Sequence, residues 1–123
     1  MRIDDFRSVI KRREYVEEIS HGEWAEGIEE CWKNEVEILS EDIPSTIEFL
    51  NNDCTASEYS WISEVFEDVI EKTSSRELVE CYKALMSRFP EESATYNIAE
   101  IVEGAEKIVK WGEENGKEHQ ESC

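Results

Sequence analysis

Residues 55–90, TASEYSWISEVFEDVIEKTSSRELVECYKALMSRFP, decide the fold class. Thr55-x-x-Glu58 has the form of a capping box, in which a threonine hydroxyl and a glutamate carboxylate satisfy the free N–H groups of a helix start. Trp61, Ile62, Val65, Phe66, Val69 and Ile70 follow at steps that place apolar side chains on one helical face. Ser74-x-x-Glu77 repeats the start signal. Behind it Leu78, Cys81, Tyr82, Leu85, Met86 and Phe89 point inward, and Pro90 stands just past the end.

The same period extends to both sides. Upstream, a helix over about 3–19 places Ile3, Phe6, Ile10 and Val16 together, although Arg13 and Glu14 interrupt its stripe. His21-Gly22 breaks it, and a helix over about 23–39 carries Trp24, Ile28, Cys31, Trp32, Val36 and Leu39. Pro44 suits the first turn of a short helix with Ile43, Ile47 and Leu50 inward, ended by Asn51-Asn52-Asp53. Downstream, a helix over about 94–111 carries Ile98, Ile101, Val102, Ala105, Ile108 and Val109. Period-two alternation is nearly absent, and there are only two prolines and five glycines. The reading is all-α, a compact bundle of five to six amphipathic helices in one domain over 1–111, with a flexible tail over 112–123.

Charge is unevenly spread. Between Glu14 and Glu71 lie 18 acidic residues and one base, Lys33, whereas the remainder holds 13 acids and 12 bases. Almost the whole net charge of −18 therefore falls on one stretch of about half the chain. In the first, second and fourth expected helices, nine acidic pairs stand three or four residues apart. Each such pair destabilises a helix by roughly 0.2–0.5 kcal/mol, so together they cost about 2–4 kcal/mol before screening. A purely solvating face could use lysine at half these positions and avoid that strain. Such a surface repels nucleic acid and anionic lipid and attracts basic proteins. The candidate contact residues are Glu23, Glu26, Glu30 and Glu37 on the second helix and Glu64, Glu67, Asp68 and Glu71 on the fourth. Tyr59 and Trp61 are the aromatic anchors expected at its rim.

Signals for chemistry are missing. There is no H-E-x-x-H, P-loop, G-x-G-x-x-G or EF-hand loop, and Glu18-x-x-His21 has no second copy to complete a metal site. No catalytic, cofactor or metal residue is assigned, and an enzyme is not expected. No positively charged start leads into an apolar run, and no apolar stretch approaches the roughly 20 residues of a membrane span, so a cytoplasmic protein is expected. Cys31, Cys54, Cys81 and Cys123 then read as free thiols, with Cys31 and Cys81 buried and Cys123 exposed.

Two runs add a resemblance. Asp53-Cys54-Thr55-Ala56-Ser57-Glu58-Tyr59-Ser60-Trp61-Ile62-Ser63-Glu64-Val65-Phe66-Glu67-Asp68, and the following run from Lys72 through Cys81-Tyr82-Lys83-Ala84-Leu85 to Phe89-Pro90-Glu91-Glu92, resemble small bacterial immunity proteins of polymorphic toxin systems, including contact-dependent growth inhibition. The resemblance covers about a third of the chain and rests on helical pattern. It implies an antidote that binds a cognate toxin domain, usually a nuclease, as a monomer forming a one-to-one complex. It carries over no contact residue. The acidic stretch agrees independently, since a nuclease that grips phosphates is basic around its active site. Three other readings share parts of this pattern: a nucleic-acid mimic that blocks a DNA-binding protein, a helical adaptor or regulator, and a small carboxylate-dependent hydrolase.

Overall fold

The computed structural model describes the backbone of residues 1–21 and 23–121 and the side chains through Glu114. Among the described residues the chain forms eight helices and no strand: α1 (Ile3–Ser20), α2 (Ala25–Ser40), α3 (Ile43–Asn52), α4 (Ala56–Ile62), α5 (Phe66–Thr73), α6 (Arg76–Ala84), α7 (Pro90–Thr95) and α8 (Ile98–Glu121). The protein is all-α, with eight helices in place of the five or six expected. The tail expected over 112–123 lies largely outside the described residues, as does Cys123.

The extra helices arise where an expected long helix breaks. The run from Thr55 to Glu71 divides at Ser63–Val65. There the amides of Ser63, Glu64 and Val65 bond to the carbonyls of Ser60, Trp61 and Ile62, the tighter three-residue step. Ser60 Oγ donates to the Ser57 carbonyl at 2.6 Å, and Ser63 Oγ donates to the Ser60 carbonyl. Serines three apart offer the backbone these alternative partners and so weaken a continuous helix. After α6 the chain turns again at Leu85–Phe89, and Pro90 opens α7 rather than merely closing the helix before it.

Helix starts agree with the sequence at Thr55 and shift by one residue at Ser74. The Thr55–Glu58 capping box is complete, with the Glu58 amide donating to Thr55 Oγ1 at 3.1 Å and the Thr55 amide to Glu58 Oε1 at 3.0 Å. In the second case Ser75 is the N-cap of α6, accepting from the Leu78 amide at 3.1 Å. Ser74 instead ends α5 in the left-handed region, at φ 50°.

Packing follows the apolar stripes. α1 lies against α2, α2 touches α3 and α5, and α8 packs on α5, α6 and α7. The core runs continuously from Phe6 and Ile10 through Ile38, Leu39, Phe49 and Leu50 to Ile62, Phe66, Ile70 and Val102. Each such side chain contributes roughly 1.5–3 kcal/mol by leaving water. Aromatic contacts thicken the far half: Phe66 stacks on Tyr82 at 4.0 Å between ring centroids, and Tyr59 meets Tyr82 at 4.5 Å. Cys31 and Cys54 are the buried thiols, whereas Cys81 is half-buried. No helix among the described residues is long and apolar enough to cross a membrane.

Candidate functional site

The acidic positions of α2 and α5 come together because these two helices pack side by side. Between them lies a cleft of about 320 Å³ lined by Trp32, Val36, Glu37 and Asp68, with Lys33 and Lys72 completing its wall. Those two lysines matter. They are the lone base of the acidic stretch and the first base beyond it, so the local field in the cleft is weaker than the sequence count implies.

Glu23, Glu26, Glu30, Glu37, Glu67, Asp68 and Glu71 are exposed. Glu30 lies 3.9 Å from the Arg12 guanidinium. Glu67 leans across to α8, where a Cβ on Gly104 would come within 3.0 Å of its carboxylate. Glu23 precedes α2 and Glu64 occupies the turn before α5. Three of the nine like-charge pairs are therefore not helical neighbours, and the helical strain falls to about 1–3 kcal/mol.

Both aromatic anchors are corrected. Tyr59 is fully buried, and its hydroxyl donates to the Tyr82 carbonyl at 3.0 Å while Tyr82 returns the same bond to the Tyr59 carbonyl at 3.0 Å. It is held there because the turn after α4 sends the Ser63 amide to Ser60, leaving the Tyr59 carbonyl in need of a donor. Trp61 is half-buried beneath the Arg13 guanidinium, 5.0 Å from the ring centroid. Neither tyrosine nor tryptophan forms a free rim. Trp24, expected on the apolar stripe, is instead the exposed residue before α2.

Arg13 is the residue that reorganises this region. It interrupts the α1 stripe in sequence, yet its side chain is buried. Its Nε and Nη2 donate to the two oxygens of Glu64 at 3.0 and 2.9 Å, and Nη1 donates to Glu17 at 3.0 Å. The Trp32 indole N–H donates to Glu64 as well, at 3.1 Å. Burial pulls the Arg13 pKa down, but the hydrogen bonds to Glu64 and Glu17 outweigh it and the net shift is upward. Glu64 is thus committed to this cluster and is not a free charge on an open face.

Glu35 completes the cluster without joining its hydrogen bonds. It is fully buried on α2, and neither carboxylate oxygen has a hydrogen-bond partner among the described residues. Burial, reinforced by the Glu64 charge and opposed by Arg13, pushes its carboxyl up to about 8. At neutral pH it is mostly protonated, because an ionised carboxylate here would have neither water nor a bond. A signal for it exists in the sequence: Glu35 falls between Cys31 and Ile38 at the spacing of the buried stripe. Among the described residues no group of three or more histidine, cysteine or carboxylate side chains is placed to hold a metal ion.

Comparison with protein-family models, with curated proteins and with solved structures finds no match in any of the three. The molecule itself defines its class. It is an acidic all-α domain whose charge is carried outward by α1, α2 and α5 and inward by a small ionic cluster.

Proposed function

We propose that this chain is a protein-binding inhibitor that neutralises a basic partner by covering it with its acidic surface. The resemblance of residues 53–68 and 72–92 to toxin immunity proteins supplies the partner class: a cognate toxin domain, most simply a nuclease, bound one to one in the cytoplasm. The observation that carries the reading is the charge distribution, 18 acids against one base between Glu14 and Glu71. Complementary charge speeds encounter, with rates reaching about 10⁸–10⁹ M⁻¹s⁻¹ at low salt, and speed suits an antidote to an incoming toxin. The protein's own part is binding; no bond-making step and no cofactor is assigned to it.

The test is a pair of charge reversals at exposed positions, Glu26→Lys with Glu37→Lys and Asp68→Lys with Glu71→Lys. Glu64 is avoided because it holds Arg13. The partner is the C-terminal toxin domain encoded next to this gene. Each reversal should leave the helical fold intact, slow association about tenfold or more at low salt, and flatten its salt dependence. An adjacent domain that is neither bound nor neutralised by the wild-type chain would remove the antidote reading. Binding that ignores both reversals would remove the electrostatic mechanism.

A further inference from the structure

Five large apolar side chains are exposed among the described residues, and three of them fall within ten positions: Tyr15 (58%), Ile19 (52%) and Trp24 (43%). Tyr15 and Ile19, four apart, share the outer line of the last turns of α1, away from Phe6, Ile10 and Val16. The Arg12–Glu30 pair fixes the antiparallel register of α1 and α2, and that register brings Tyr15 level with Gly27 and Ile19 level with Glu23. These residues form the tip of the α1–α2 hairpin.

Trp24 is seated rather than free. Its indole lies over Gly27, where an added Cβ would come within 2.7 Å of two ring carbons. The missing side chain at 27 is what lets the ring lie against the helix. A large aromatic group fixed in advance loses little freedom when a partner covers it.

The surroundings select the partner. From Glu14 to Glu30 there are seven glutamates and no lysine or arginine. Glu17 is engaged with Arg13 and Glu30 with Arg12, while the other five form no ion pair among the described residues. The α2–α5 cleft, by contrast, is diluted by Lys33 and Lys72. Apolar anchors inside a charged rim are the arrangement of a binding hot spot. Nucleic acid and anionic lipid are repelled by this rim, and a second copy of the chain would bring seven more glutamates against it.

We propose that the tip of the α1–α2 hairpin, with Tyr15, Ile19 and Trp24 set among glutamates, is the docking surface for a basic protein segment. The proposal rests on the basic-partner reading above and moves its energetic centre from the α2–α5 face to the hairpin tip.

A phage-displayed library of random short peptides, selected against the intact chain, tests it whatever the natural partner is. Selected peptides should combine lysine or arginine with an apolar residue, bind more weakly as salt rises, and shift backbone amide resonances within residues 14–30. Trp24→Ser, and separately Tyr15→Ser with Ile19→Ser, should weaken them roughly tenfold or more, the scale of a hot-spot truncation. All three positions are exposed, so thermal midpoints should stay near the wild-type value. Basic peptides that map to the α2–α5 cleft would overturn the tip while leaving the basic-partner reading standing. Apolar, salt-insensitive peptides at the tip, or a selection without binders, would overturn the basic occupant. A concentration-dependent dimer abolished by Trp24→Ser would make a second copy the occupant, and would likewise overturn it.

Discussion

Two interiors lie side by side in this chain, and they are held by different physics. The one shared by α4, α5, α6 and α8 is aromatic and aliphatic, and its few polar groups close on each other, as Tyr59 and Tyr82 do. The one between α1, α2 and the α4–α5 turn is built around a buried arginine, its two carboxylate partners and a third carboxylate with no hydrogen bond. The first should respond to lost volume and hardly to pH. The second should respond to charge, because its groups balance only in one protonation pattern.

Removing the centre of the ionic interior gives the largest effect expected. Arg13→Ala leaves Glu64 and Glu35 facing each other with no cation between them, and should lower unfolding free energy by about 3–5 kcal/mol in urea titrations at pH 7. A loss below about 1 kcal/mol would mean that the cluster is no more than a surface ion pair.

Next in size is a pH effect whose sign is unusual for a carboxylate. Glu35 has a folded-state pKa raised from 4.5 to about 8, so above pH 4.5 the unfolded chain releases a proton that the folded chain keeps. The stability contributed by this group is therefore full at acid pH and is lost as pH rises towards 8. Between pH 5 and pH 8 the fall should be about 3–4 kcal/mol, and Glu35→Gln should abolish it while leaving stability at pH 5 nearly unchanged. Parallel pH profiles for the two proteins would show that Glu35 is ionised or solvated in the fold.

The smallest effect belongs to the apolar interior. Tyr59→Phe leaves the Tyr82 carbonyl buried without its donor and should cost about 1–3 kcal/mol. Its pH profile should run parallel to that of the wild type from pH 5 to 8. A changed slope would show that the two interiors are coupled and that the contrast between them is too sharp.

Much of this architecture is legible in the sequence because it is local. The α1, α2, α3 and α8 stripes, the Thr55–Glu58 box and the Pro44 start each depend on residues within one or two turns. The break at Ser63–Val65 is hidden because serine hydroxyls bond backward without disturbing the apolar period. Arg13 reads as an interruption because its partner Glu64 is 51 residues away, and pairing over that span leaves no mark on a stripe. Tyr59 reads as a rim residue for the same reason, its partner lying 23 residues downstream. Charge counting locates the acidic half correctly as a region of sequence. Which of its carboxylates face water requires the fold.

The two tyrosine bonds have a dynamic corollary. Each hydroxyl reaches the other residue's carbonyl, so the ends of α4 and α6 are fastened by two antiparallel bonds of equal length. Sliding or prying one helix end from the other stretches both bonds at once, and half-open arrangements gain nothing. Separation of α4 from α6 is then an all-or-none excursion, and the amide protons of the two helices should exchange with solvent at a common rate rather than fraying one after the other.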